Sequence, residues 1–139
     1  MALVTIATDA SVDASTTMFA PQVTGLIAGE NLLACAPCYI KTSDGKVYMS
    51  NGTALNEAAE FVGFCPRAAL AGQPVTLFGF GARMRYAASG LNPGDILYIG
   101  ATAGRLDTAP TTGDTVAGGT AQVISATDIR VIRAHVVGR

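Results

Sequence analysis

Three features of this 139-residue chain predict an all-β fold: a compact β-barrel or sandwich with an internal pseudo-repeat, one short helix and an extended N-terminal arm. Short apolar or alternating stretches recur along it, with Gly, Pro, Asn and Asp between them, as in small sandwiches and barrels. Two of these stretches are copies of one pattern. Only one segment, "TALNEAAE", has helical character.

Residues 1 to 24 read as an arm, and residues 25 to 139 as a single β domain. In the arm, Leu3-Val4-Thr5-Ile6 can add a strand to a neighbouring sheet. Residues 8 to 24 are small, polar and aperiodic apart from Met18-Phe19, an apolar anchor. The pattern first appears as Gly25-Leu26-x-x-Gly29-Glu30, then Cys38-Tyr39-Ile40, then Gly45-Lys46-Val47. It returns as Gly90-Leu91-x-x-Gly94-Asp95, Leu97-Tyr98-Ile99 and Gly104-Arg105-Leu106. Each copy reads as a glycine loop, a Tyr-centred strand, a hairpin turn and a return strand. Asp44-Gly45 suits a tight turn because glycine accepts positive φ without steric cost. The first copy carries an insertion, Asn31 to Ala36.

Between the copies, Thr53 to Glu60 is the helical piece, with Thr53 as an imperfect cap. "EFVGFC" (60–65) and "VTLFGF" (75–80) are strands, and Gly81-Ala82 is a hairpin bend leading into Arg83-Met84-Arg85-Tyr86. Arg83 and Arg85 then share one face, with Met84 and Tyr86 on the other, and Phe78 and Phe80 likewise share a face. Residues 107 to 120 are Thr/Gly-rich and aperiodic, and are expected to be extended or mobile in the isolated chain. Residues 121 to 125 and 129 to 133 form a closing strand pair.

Cys35 and Cys38 make a C-x-x-C spacing, which is found in redox and metal sites. The repeat argues against both here. Cys38 occupies the slot of Leu97, where a cysteine serves as a small hydrophobe. Cys35 lies in the insertion, and a proline and a strand follow it rather than a helix. Cys65 and His135 would complete a four-ligand zinc set but lack the paired spacing of such sites. His135 is the only histidine, and the carboxylates fall mainly in turns. No catalytic residue, metal ligand or cofactor site is therefore expected.

Half of the residues are hydrophobic and only 14% are charged, with a net charge of −1. There is no basic block of the kind a nucleic-acid partner needs, and no apolar run of the roughly 20 residues that span a bilayer. The opening stretch lacks the features of a secretory signal, so synthesis in a host cytoplasm with reduced thiols is expected. So few charges suggest uncharged surface covered by other chains. Arginines and aromatics are enriched in such contacts. The candidate contact residues are Leu3, Ile6, Met18, Phe19, Phe78, Phe80, Arg83 and Arg85.

The order of "GLIAGENLLACAPCYIKTSDGKVY", "EFVGFCPRAALAGQPVTL", "SGLNPGDILYIGATAGRLDTAP" and "AQVISATDIRVI" resembles that of the capsid decoration, or cement, proteins of tailed bacteriophages. The resemblance spans about residues 22 to 134, and the "CAPC" insertion departs from the pattern. It implies a non-enzymatic β-barrel-like virion protein on the outer surface of an icosahedral head. Such a protein binds the major capsid protein and itself, often as a homotrimer, and stabilises the coat lattice. Alternatives are another virion component, such as a head fibre, tail or adaptor protein, and a small cysteine-based metal-binding protein.

Overall fold

The computed structural model describes residues 3–12, 22–112 and 119–133, and nearly all of its regular structure is strand. In chain order the strands are β1 (Ser11–Val12), β2 (Gln22–Ile27), β3 (Pro37–Ile40), β4 (Val47–Met49), β5 (Gly63–Phe64), β6 (Pro74–Phe78), β7 (Arg83–Arg85), β8 (Ile96–Ile99), β9 (Leu106–Asp107), β10 (Ala121–Val123) and β11 (Asp128–Val131). They form two antiparallel sheets, ordered β2-β6-β5-β3-β4 and β1-β7-β11-β10-β8-β9. The arrangement is sandwich-like and is not a closed barrel. An isolated parallel bridge between Ala28 and Val47 brings the chain leaving β2 beside β4, so the five-stranded sheet curls without closing.

The pleat sorts side chains into two cores, because successive residues of a strand face opposite ways. The larger core takes Met84, Leu97, Ile99, Leu106, Val123, Ile129 and Val131 from the six-stranded sheet and Phe64 from the other. The Phe61 and Phe64 rings meet edge to face there, with centroids 5.3 Å apart. The smaller core lies within the curl of the five-stranded sheet and contains Cys38, Val47, Cys65, Val75 and Leu77. Ala28, Leu32 and Ala36 also belong to it. Along β6, Leu77 belongs to this smaller core while its neighbour Phe78 packs against the larger one.

The internal repeat is structural. In the first copy Tyr39 pairs with Tyr48 and Ile40 with Val47; in the second Tyr98 pairs with Asp107 and Ile99 with Leu106. Lys41 N–H donates to Lys46 O at 2.9 Å, and Gly100 N–H donates to Arg105 O at 2.7 Å, in equivalent positions. Gly45 and Gly104 both adopt positive φ, at 69° and 79°. The two hairpins form edges of different sheets, and hydrogen bonds join them. Gly104 N–H reaches Ser50 O at 3.0 Å and Gly52 N–H reaches Gly100 O at 2.8 Å. A Cβ on Gly52 would collide with the Ile99 carbonyl, so only glycine permits this approach.

Four local expectations need correction. The helical piece reduces to one 3-10 turn, Glu57–Ala59, capped by Asn56, whose Oδ1 accepts from Ala58 N–H at 2.9 Å. Thr53 is not the cap; its N–H and hydroxyl both donate to Asn51 Oδ1. The segment has a single large apolar side chain, Leu55, and that residue is 84% exposed, so no packing drives a longer helix. The Gly81-Ala82 bend is not a hairpin. Strands β6 and β7 belong to different sheets, and the turn carries the chain between them. The "VTLFGF" strand stops at Phe78, which leaves Phe80 in that turn. Finally, the start of the first glycine pattern, Gly25 to Ile27, is part of strand β2 rather than a loop. Its register with β6 shifts between Val23 and Leu26, and Gly25 has a φ of 80°.

Candidate functional site

The outer face of the six-stranded sheet brings together residues from four strands. Directly opposed residues share a face, and the register sets Ser11 and Asp128 on either side of Arg85, and Arg130 between Arg83 and Gln122. Met84 and Ile129 alternate inward and are fully buried. Arg83 and Arg130 are like charges in opposed positions, which is unfavourable without compensation. Two neighbours supply it. Arg83 Nε donates to Asp128 Oδ2 at 2.9 Å. Arg130 donates from Nε and Nη2 to Gln122 Oε1 at 3.0 and 2.6 Å. Arg85 Nε in turn meets the Asp9 carboxylate at 3.2 Å.

Asp128 anchors the row. Burial raises the pKa of its carboxyl, but hydrogen bonds from Thr127 and Arg83 and the charges of Arg83 and Arg85 outweigh this and leave it below the ordinary value. The Ser125 hydroxyl accepts from Asp128 N–H at 3.1 Å and so builds the turn that presents the carboxylate. The face as a whole is half-exposed and positive by one charge, with Arg83, Arg85 and Arg130 set against Asp9 and Asp128.

A second exposed surface is strand β2. Among the described strands it pairs with β6 and ends the five-stranded sheet. Every residue from Gln22 to Ile27 is exposed except the half-buried Leu26, and none is charged. Val23 and Ile27 are exposed aliphatics there. Beside it, Gly25, the 66–69 loop and the 73–76 stretch line a groove of about 440 Å³.

The sequence-derived contact residues divide between these surfaces and the protein's own core. Arg83 and Arg85 lie on the positive face. Phe80 is 50% exposed in the turn between the sheets. Phe78 and Ile6 pack against the larger core. Leu3 is exposed but bridges to Asp107, and Val4 N–H donates to Leu106 O at 2.9 Å, so the start of the arm adds to its own sheet at β9. Ser11 and Val12 pair with β7. Met18, Phe19 and His135 lie outside the described residues.

The cysteines are three free, fully buried thiols. Cys38 and Leu97 occupy equivalent central strand positions, both buried, in line with the repeat. Burial, helped by the charge of Cys65, pushes the Cys35 pKa up to about 12. Cys35 also has a φ of 57°, the only positive value outside glycine among the described residues. It faces the larger core, whereas Cys38 and Cys65 face the smaller one. Among the described residues no three His, Cys, Asp or Glu side chains converge to hold a metal ion, and no helix is long and apolar enough to cross a membrane.

Sequence reasoning missed Asp128, Asp9, Arg130 and Gln122. Asp128 read as a turn residue, and its alternation with Arg130 was the available signal. It also missed β2, because Gly25 reads as a loop-former while here it marks a bulge. No protein-family model matches the chain, and no curated protein is significantly similar to it.

Proposed function

We propose that this chain is a virion structural protein that binds the outer surface of an icosahedral phage head, associates with itself as a trimer, and stabilises the coat lattice. The observation that carries this reading is the paired repeat. The Tyr strand and its glycine hairpin recur with matching register, in the order that resembles the decoration proteins. The exposed surfaces are consistent with it. An uncharged strand at the edge of its sheet is a surface on which another chain can add by strand pairing. The Arg83, Arg85 and Arg130 face offers guanidiniums to carboxylates on a coat or sister subunit. No cofactor, nucleic acid or membrane enters the proposal.

The test is direct. Purified protein is added to heads assembled without it, and the particles are imaged. Density on the outer shell at regular coat positions, with greater resistance of the head to heat or chelation, is the expected result. Heads that remain bare at saturating protein overturn the reading. Density confined to the tail or portal vertex favours an adaptor or tail role instead.

A further inference from the structure

We propose that Cys38 and Cys65 are an oxidation site, which a small disulfide such as oxidised glutathione converts into an intrachain disulfide while Cys35 remains a free thiol. Cys38 lies in β3 and Cys65 directly follows β5, the neighbouring strand. Pro37 pairs with Phe64, Cys38 with Gly63, and Cys65 N–H donates to Ala36 O at 3.1 Å. Cys38 and Cys65 are therefore diagonal neighbours on one face of an antiparallel pair. The same Ala36 carbonyl also accepts from the Cys38 thiol at 3.3 Å, which holds that sulfur against the backbone of Cys65. Both side chains are fully buried in the smaller core, on the same side of the strand pair, and each thiol perturbs the ionisation of the other. Diagonal neighbours in a regular sheet are about 7–8 Å apart at Cα, just beyond the roughly 4.4–6.8 Å that a disulfide spans. Bond formation therefore needs a small backbone shift. Cys65 lies just past the end of β5 and is tied to the neighbouring segment by two backbone hydrogen bonds, from its N–H to Ala36 O and from Cys35 N–H to its carbonyl at 2.9 Å, so the shift must stretch these.

Cys65 is as fully buried as Cys38, but it adjoins a surface loop. Its thiol donates to Leu33 O at 2.7 Å, under a residue that is 42% exposed, and the next residues, 66–69, form one wall of the groove beside β2. Opening of that loop exposes Cys65 first. The neighbouring Cys38 thiol and backbone donors outweigh burial and lower the Cys65 pKa, which favours the thiolate needed for attack. The Cys65 thiolate attacks one sulfur of the oxidant, breaking its S–S bond and releasing one glutathione thiolate, which takes up a proton. Cys38 then gives up its proton and its sulfur attacks Cys65 Sγ, forming the Cys38–Cys65 bond and releasing the second glutathione. The protein loses two hydrogens, and two reduced glutathiones carry them away. Cys35 faces the other core and takes no part.

The proposal does not depend on the capsid reading, and its test uses the folded full chain alone. Protein is incubated with excess oxidised glutathione, quenched in acid, alkylated under denaturing conditions, digested and mapped by mass spectrometry. The expected products are a Cys38–Cys65 linked peptide, an alkylated Cys35, no retained glutathione, and recovery of all three thiols on treatment with dithiothreitol. A Cys38→Ser variant should stop at the mixed disulfide and keep glutathione on Cys65. Three alkylatable thiols after oxidation, or a linkage that includes Cys35, overturn the proposal. The wild-type map decides the question even if the variant does not fold.

Discussion

Asp128 is the residue on which the charged face depends, and its effect on stability should be pH-dependent. Its folded-state pKa lies below the ordinary 3.8. A depressed carboxyl pKa stabilises the fold at every pH above the unfolded value, and that contribution fades as pH falls through the folded value. The ion pair is part-exposed, so solvent screening keeps its worth to about 0.5–1 kcal/mol. Asp128→Asn should therefore lower the urea midpoint at pH 7, and the gap between variant and wild type should narrow as the pH is taken below 3.8 and the folded-state carboxylate is protonated. A gap that stays equal over this range would show that the carboxylate charge contributes nothing. Glycine provides a second residue-scale test. Gly52→Ala forces a methyl into the Ile99 carbonyl and should cost about 1–3 kcal/mol or more. Gly72→Ala meets open space and carries only the strain of its φ of 91°, about 1 kcal/mol. Thermal melts of the two variants should rank in that order.

At the scale of elements, the buried repeat positions tolerate some changes and not others. Cys38→Val keeps the volume of an apolar strand position and should cost less than about 1.5 kcal/mol. Leu97→Ala, at the equivalent position of the second copy, leaves a cavity in the larger core and should cost about 2–5 kcal/mol. Comparable losses in chemical denaturation would mean that the Cys38 thiol has a role beyond packing. The repeat was legible in the sequence because turn glycines and a Tyr-centred strand carry local signals at fixed spacing. The inward alternation of Met84 and Tyr86 against Arg83 and Arg85 was legible for the same reason. The sheet to which each strand belongs was not. Nothing in "GFGAR" distinguishes a hairpin from a crossing between sheets, since both need a glycine with positive φ. The short reach of the helix was hidden as well, because Asn51 and Asn56 compete for the same turn through side-chain hydrogen bonds that a propensity scale does not contain. The charged face is assembled from residues 9, 83, 85, 122, 128 and 130, and only the fold brings them to one surface.

At the scale of the whole molecule, the two sheets are unequal. The six-stranded sheet is backed by the larger core, whereas the five-stranded sheet curls around eight buried residues and ends in the exposed strand β2. Such a small core cannot hold a sheet folded by itself. What keeps it in place is shared: Phe64 and Phe78 reach from its strands into the larger core, and the hairpins of the two repeats join at Ser50, Gly52, Gly100 and Gly104. Either sheet without the other would expose that apolar layer and break those hydrogen bonds. Unfolding in urea should therefore be a single cooperative transition. The amides of β6 in one sheet and β11 in the other should reach the same global opening free energy in native-state hydrogen exchange, and β2, exposed at the end of its sheet, should open below it. A lower plateau for β6 than for β11, with Tyr86 still buried while β6 exchanges, would show instead that the curled sheet opens as an independent unit and that the junction between the hairpins does not couple the two.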